Sequence, residues 1–312
     1  MSDAQHTDGS NYGYTPTPAW CIVFITLFSL SAAVHAVSAF RAKSWIVYPT
    51  LVLGALIEVT GWSGRYWSSQ NVTLLSPFLM QIVTLILAPV FFSAYDYVVL
   101  GMAINRLGPQ YSYFRPRWYF IIFITADVIS LVLQAVGGGQ AASTAGTSSP
   151  TKSATDIMVA GIVFQLFSMF VFICFGIDFV IRTRLDKPYY HQQQRLATKQ
   201  QALQHVQSAE TAIGSTQEKT QETQLEQEEE RRKNMGRWWL MLSVVMISSL
   251  MIFIRGIYRS IELSEGWEAK LTQTEIFQNC LDGIPMIIAV GIYNFVNPGY
   301  LFPRRSSWKG YH

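Results

Sequence analysis

The sequence predicts an all-α, polytopic membrane protein with seven transmembrane helices, its N-terminus outside and its C-terminus in the cytosol. Three observations carry that expectation. The 312 residues are 50% hydrophobic and only 14% charged, where a soluble domain would carry about 25% charged residues. Seven predominantly apolar runs are each close to the length of about 20 residues that spans a bilayer core. Of the 23 lysines and arginines, only Arg65, Lys152, Arg259 and Lys270 fall on the side of the N-terminal tail. All the others except Arg255 fall on the opposite side, which the positive-inside rule places in the cytosol.

The runs are residues 18–40, 45–62, 79–104, 118–136, 157–181, 238–258 and 277–295. Trp20, Trp45, Trp62, Trp67, Trp118, Trp238 and Trp239 lie near their ends, where an indole prefers the membrane interface. The expected organisation is an outer tail over 1–17, a seven-helix domain over 18–302 interrupted by a cytosolic loop at 182–237, and a cytosolic tail over 303–312. The sequon Asn71-Val72-Thr73 falls in an outer loop, in agreement with this orientation.

The tail through Thr17 is polar and lacks the basic start of a signal peptide, so the first apolar run reads as a retained helix. That helix contains His35, which reads as a packed residue. The second ends in Glu58, Gly61 and Arg65, with the two charges seven residues apart on one face. Glu58 is expected to anchor the helix end with Arg65, to enter the bundle and meet Arg255, or both. The third run carries Pro89, which predicts a kink. It also carries Asp96, which reads as a helix-end carboxylate within reach of Arg106.

The fourth run has a polar face of Asp127, Ser130 and Gln134, followed by Gly137-Gly138-Gly139. The small, polar stretch from Gly137 to Thr155 reads as an outer loop. The fifth run has Gln165 early and Asp178 at its far end. Between Arg182 and Arg237 the chain is rich in Gln, Glu and Lys, which predicts a solvated helix or disorder and not a second folded domain. The seventh run places Asp282 three residues before Pro285, and after it comes Asn297-Pro298-Gly299-Tyr300.

The sixth run holds the most expensive residues. Arg255, Arg259 and Glu262 follow the spacing i, i+4, i+7 and so share one helical face. An arginine near a helix centre costs roughly 2.5 to 3.5 kcal/mol to insert, and it persists where a counter-charge or a wet cavity meets it. Glu58, Asp127, Gln134, Arg255 and Asp282 are all expected between the midplane and the outer surface. That common depth predicts a shared polar cavity, with Arg255 among Glu58, Asp127 and Asp282. An excess of carboxylates over arginines there favours a cationic or amphipathic ligand, or proton uptake by one of the buried carboxylates.

Several functions are excluded or disfavoured. A net charge of +3 is too small to suggest nucleic acid. No GxxxxGK[ST] pattern occurs, so ATP hydrolysis within this chain cannot drive transport. A retinal protein needs a lysine in the seventh helix, and residues 277–295 contain none. Rhodopsin-like receptors end their third helix differently from Ile104-Asn105-Arg106. A zinc lipid hydrolase needs several intramembrane histidines, whereas only His35 qualifies. No cofactor, no metal and no enzymatic activity are expected.

The order and spacing of these residues resemble the fungal RTA-like, lipid-translocating exporter family. The resemblance covers nearly all of residues 18–304. It rests on Glu58, Gly61 and Arg65; on Leu87-Ala88-Pro89 with Ala94, Tyr97 and Gly101; and on Asp127, Ser130, Gln134 and the glycines that follow. It continues through Gly161 and Gln165, then Arg255, Tyr258, Arg259, Glu262 and Gly266, to Glu275, Asp282, Pro285 and Met286. Two departures stand out. Asn297 replaces the histidine often found before Pro-Gly in the family, and the fifth loop is longer than usual. The resemblance implies a plasma-membrane or vacuolar-membrane protein that translocates, or confers tolerance to, amphipathic lipids of sphingoid-base or sterol-like character. The ligand would be such a lipid or another small amphiphile. The expected ligand-binding residues are Glu58, Asp127, Gln134, Arg255, Arg259, Glu262 and Asp282. A seven-helix receptor or sensor of membrane stress stands as the alternative.

Overall fold

The computed structural model describes residues 14–144, 152–194, 198, 217–265 and 274–296. Each apolar run of the sequence lies within one helical span. These are α1 (Pro18–Ala42), α2 (Trp45–Gln70), α3 (Leu75–Leu107), α4 (Pro116–Thr144), α5 (Lys152–Leu185), α6 (Gln217–Glu265) and α7 (Glu275–Phe295). Prolines open α1 and α4 at their first positions, where the missing N–H would have had no helical partner. Gly108, with φ of 145°, ends α3 in a backbone region that residues with a side chain rarely adopt.

The chain winds up and down, so the starts of α1, α3, α5 and α7 and the ends of α2, α4 and α6 share one face of the bundle, here termed upper. Neighbours in sequence pack together, and α1 closes the ring onto α7. The central helix is α3, which packs on α2, α4 and α6. Every residue from Phe92 to Ile104 is buried, the signature of a helix enclosed on all sides. The outward faces carry large apolar side chains such as Leu30, Phe40 and Phe167, all more than 60% exposed. A surface of that kind belongs against lipid tails.

Glycines set the closest approaches. A Cβ on Gly61 of α2 would stand 2.5 Å from the Leu85 side chain of α3, and one on Gly137 of α4 would stand 2.6 Å from the Met158 backbone nitrogen of α5. Small residues at such contacts let helices approach without a side chain between them.

The structure differs from the sequence expectations at four places. The second helix extends past the apolar run at 45–62: a 3-10 turn at Trp45–Val47 and a π turn at Tyr48–Val52 lead into a helix that continues to Gln70. It continues because Arg65 is satisfied inside the bundle. The glycines at 137–139 are not an outer loop but part of α4, which runs to Thr144, since Gly137 is needed for contact with α5. Asp96 is not at a helix end facing Arg106. It is fully buried, accepting from the Tyr293 hydroxyl at 2.5 Å and from Ser249 at 2.9 Å. Tyr14, assigned to the solvated tail, is only 4% exposed and packs on Phe78. His35 is packed as expected, with its ring 3.1 Å from the Val290 carbonyl. Of the two readings for the fifth loop, helix holds from Gln217 onward. The stretch Asn297 to Tyr300, Gly266 and the tail at 303–312 lie outside the described residues.

Candidate functional site

The spacing of Arg255, Arg259 and Glu262 along α6 turns all three inward, and the bundle surrounds them with partners from α2, α3 and α7. Arg259 forms a two-pronged contact with Asp282, from Nε at 2.9 Å and from Nη2 at 2.5 Å, while its Nη1 donates to Glu262 at 2.9 Å. Arg255 donates through Nε to the same carboxylate and faces Glu58 across 3.7 Å. Tyr258 donates to the other oxygen of Glu262 at 3.1 Å. All five charged residues are 8% exposed or less. Burial of this kind costs several kcal/mol per ion, and only dense, charge-assisted hydrogen bonding offsets it. Asp282, which accepts three N–H groups, meets that requirement best.

Backbone irregularity helps to build the cluster. Pro89 has no N–H, so the carbonyl of Leu85, four residues earlier, has no helical donor. Arg255 Nη2 supplies the missing bond at 2.5 Å. Asp282 lies in a π turn over Asn279–Gly283, immediately ahead of Pro285, which likewise cannot donate to the helix. Pro89 thus opens the backbone beside Arg255, and Pro285 follows the turn that carries Asp282, the carboxylate shared by Arg255 and Arg259.

A second polar group joins α4 to α5. Ser130 donates to the Gly161 carbonyl at 2.7 Å, and Gln134 Nε2 donates to Ser130 at 2.7 Å and to Gln165 at 3.0 Å. A Cβ on Gly161 would stand 2.9 Å from the Ser130 carbonyl, so glycine is what permits this contact. Asp127 stands apart from both groups. One of its oxygens accepts from Ser93 at 2.7 Å and from Tyr97 at 2.9 Å, tying α4 to α3. The expected meeting of Asp127 with Arg255 is therefore replaced by a clamp of hydroxyls. Asp127 turns towards α3, a direction that its depth in the membrane does not specify.

A third node seals the upper face. Arg65, with no exposed surface, donates to Gln278 and to the Tyr14 hydroxyl, each at 2.7 Å, and lies 3.5 Å from Glu275. Thr17 binds the Glu275 carboxylate through its backbone N–H at 2.8 Å and its hydroxyl at 2.6 Å. Burial raises the Tyr14 hydroxyl above its ordinary pKa, so it remains a neutral phenol at the guanidinium. Sequence reasoning missed Tyr14 and Gln278. A lone tyrosine in a polar tail carries no pattern, but Gln278 precedes Asp282 by one helical turn, a spacing that marks it as sharing that face.

A cleft lies among α3, α4, α5 and α6, about 470 Å³ counting the space that is open to the outside of the bundle. Its wall is apolar, with Leu85, Ile86 and Pro89 on one side and Ile162, Leu166 and Met169 on another. Its polar lining residues among those described are Gln134, Gln165, Arg255 and Arg259. Of the seven expected ligand residues, Gln134, Arg255 and Arg259 line the cavity. Glu58, Glu262 and Asp282 contact those arginines without lining it, and Asp127 is not part of the wall. Ile86, Gln165, Leu166 and Phe253 on its wall are only half-buried, so the cavity extends towards the outer surface of the bundle. Among the described residues, no three His, Cys, Asp or Glu side chains are grouped so as to hold a metal ion.

Comparison with known proteins adds to this geometry. Residues 51–305 match the family described as RTA1 like protein. The chain is 30% identical to the sphingoid long-chain base transporter RSB1 of Saccharomyces cerevisiae over 302 residues, covering 95% of this chain and 75% of that protein. It is 24% identical to Protein RTM1 of Saccharomyces cerevisiae, over 78% of this chain and 64% of that one. It is also 24% identical to Protein RTA1 of the same species, over 90% of this chain and 83% of that one. No solved structure matches the chain.

Proposed function

The chain belongs to the RTA1-like family, and from that membership we propose that it translocates amphipathic lipids, sphingoid long-chain bases foremost, through the cavity among α3, α4, α5 and α6. The observation that carries this reading is the make-up of the cavity wall: aliphatic side chains for an alkyl tail, with a small polar end formed by two arginines and two glutamines. Gln134, Arg255 and Arg259 would touch the ligand. Glu58, Glu262 and Asp282 would hold the guanidinium groups in place, and Asp127 would fix α4 against α3. The protein would act without enzymatic chemistry, in the plasma membrane or an endomembrane such as the vacuole, with the upper face outside and residues 182–237 in the cytosol.

The experiment is reconstitution of the full chain into proteoliposomes with a fluorescent long-chain base. Protein-dependent movement of the probe between leaflets is expected, and flux equal to that of empty liposomes would refute the proposal. The alternative of a membrane-stress sensor is favoured by one feature. The helix that carries Arg255 and Arg259 extends unbroken from Gln217 to Glu265, far beyond its membrane span. A shift of the arginines on ligand binding would reach the cytosolic loop directly.

A further inference from the structure

Asp127 is only 1% exposed, and among the described residues no cation stands within ion-pair distance of it. Its Oδ2 is held by the Ser93 and Tyr97 hydroxyls of α3, while its Oδ1 is buried without any hydrogen-bond partner. The surroundings are aromatic. The Tyr97 ring meets Phe172 of α5 at 4.6 Å and Phe123 of α4 at 5.4 Å between centroids. Tyr97 is the titratable group that α3 turns towards Asp127, and α5 brings the Phe172 ring and no charge. Asp96, next to Tyr97 in the chain, is engaged instead with Tyr293 of α7 and Ser249 of α6. An ionised Asp127 would therefore keep a charged oxygen with neither donor nor counter-charge, and an isolated buried carboxylate takes up a proton in preference to that.

The hydrogen bonds around it allow for such a proton. Ser93 has one hydrogen and two acceptors in reach, Asp127 Oδ2 at 2.7 Å and the Val90 carbonyl at 3.0 Å. With Asp127 ionised, that hydrogen goes to the carboxylate. With Asp127 protonated at Oδ2, the acid donates to Ser93 Oγ and Ser93 passes its hydrogen to Val90. Tyr97 donates to Oδ2 in both cases, and Oδ1 is left as an uncharged carbonyl oxygen.

We propose that Asp127 is a proton-binding residue that couples the contact between α3 and α4, and through it the lipid cleft, to pH. One proton from the surrounding water binds as the two helices close on the carboxyl and returns to water as they part. The closed arrangement binds one proton more than the open one, so falling pH favours it and rising pH releases it. The cleft is next to this contact along both helices. Pro89 precedes Ser93 by one turn on α3, Gln134 follows Asp127 by two turns on α4, and both line the cleft. A shift of α4 against α3 therefore changes its width. This last step rests on the lipid-handling reading above, whereas the proton site itself does not.

The test has two parts, each on the full chain. In purified protein at neutral pH, infrared difference spectra between parent and Asp127→Asn should show loss of the carbonyl band of a protonated carboxylic acid. An unchanged band overturns the proton site. In proteoliposomes, flux of a fluorescent long-chain base above that of empty liposomes should rise several-fold from mildly acidic to mildly alkaline pH. Asp127→Asn, permanently uncharged, should stay near the acid level throughout. The amine of the probe titrates equally with both proteins, so the difference between the two profiles belongs to Asp127. Identical profiles overturn the coupling. Flux equal to that of empty liposomes at every pH overturns the lipid-handling reading and leaves the infrared result to decide the proton site. If Asp127→Asn does not fold, Ser93→Ala replaces it in the spectra. That variant keeps the carboxyl and removes the oxygen that takes its hydrogen bond, so the acid band should remain and change frequency. A band that does not move with Ser93→Ala overturns the proposal.

Discussion

Arg255 on α6 donates to the carbonyl of Leu85 on α3, the one acceptor that Pro89 deprives of its helical partner. A kink in one helix and a buried charge in another are thus two halves of a single arrangement. Each answers a polar group that the membrane interior would otherwise leave unsatisfied. Pro89→Ala restores an N–H that competes for Leu85 and straightens α3. The expected outcome is normal insertion and unchanged or higher thermal stability in detergent, with lipid movement reduced several-fold as Arg255 loses its backbone anchor. Unchanged movement would show that the kink is not needed to place the guanidinium.

Arg255 and Arg259 are not equivalent. Asp282 keeps the two-pronged Arg259 contact when Arg255 is removed, but loses it when Arg259 is removed, and Glu262 loses its cation as well. Arg259→Ala should therefore destabilise by about 3 to 5 kcal/mol, the range for leaving a buried carboxylate unpaired. Arg255→Ala leaves the buried Glu58 carboxylate without its cation and frees the Leu85 carbonyl, so it should also cost about 3 to 5 kcal/mol, and it should abolish lipid movement. Arg255→Lys should restore movement only in part, because an ammonium cannot span Asp282, Leu85 and Glu58 at once. Unfolding titrations in mixed micelles compare the two. The assignment fails if Arg255→Ala leaves stability unchanged or transports normally.

The helices and the arginine cluster were legible because both follow from one-dimensional rules. A bilayer requires about 20 apolar residues for each crossing, and the positions of Arg255, Arg259 and Glu262 imply a common face whatever the tertiary structure. Asp282 was legible for a related reason, as a carboxylate beside a proline-weakened backbone. The partnership of Asp127 was not. Its position along α4 specifies height, but the side to which it turns depends on how α4 rotates against α3, and Ser93 and Tyr97 carry no sequence signal as its partners. Pro89 marked the kink, and the i−4 rule identifies Leu85 as the freed carbonyl. That Arg255 would fill it needed the packing of α6 on α3. Glycines 137 to 139 read as a turn because glycine is a turn residue in water, whereas between membrane helices it is equally a contact residue.

The tail residues before α1 are structural as well as polar. Tyr14→Phe removes an acceptor from the buried guanidinium of Arg65, which should lower stability by about 1 to 3 kcal/mol. Thr17→Ala, at an exposed contact with Glu275, should cost less. Melting curves of the two variants check the order, and a Tyr14→Phe protein as stable as its parent would mean that the tail merely rests on the bundle.

The proposed orientation places residues 182–237 on the cytosolic side, where the chain is most basic. Protease added to intact cells should leave that segment uncut, and permeabilised cells should yield two large fragments. Cleavage from outside intact cells would invert the topology and, with it, the side on which the Tyr14 seal operates.

Glycine provides the sharpest separation of packing from mere flexibility, because three glycines lie along the same two helices in different surroundings. A methyl group at Gly161 would meet the Ser130 carbonyl at 2.9 Å and the Gln134 backbone nitrogen at 3.1 Å, and backbone atoms cannot move aside alone. Gly161→Ala must therefore push α5 away from α4. That movement breaks the Ser130 bond to the Gly161 carbonyl and draws Gln165 from Gln134, so both stability and lipid movement should fall. Gly137→Ala meets the backbone of Met158 and Ala154 at 2.6 and 2.7 Å and should destabilise at least as strongly. At Gly139 nothing lies within 4 Å, so Gly139→Ala should only gain helix propensity, stabilising α4 by up to about 1 kcal/mol. Stability measured across the three variants checks this order. A Gly161→Ala protein that matches Gly139→Ala in both stability and lipid movement would mean that α4 and α5 do not pack as closely as the polar set of Ser130, Gln134 and Gln165 requires.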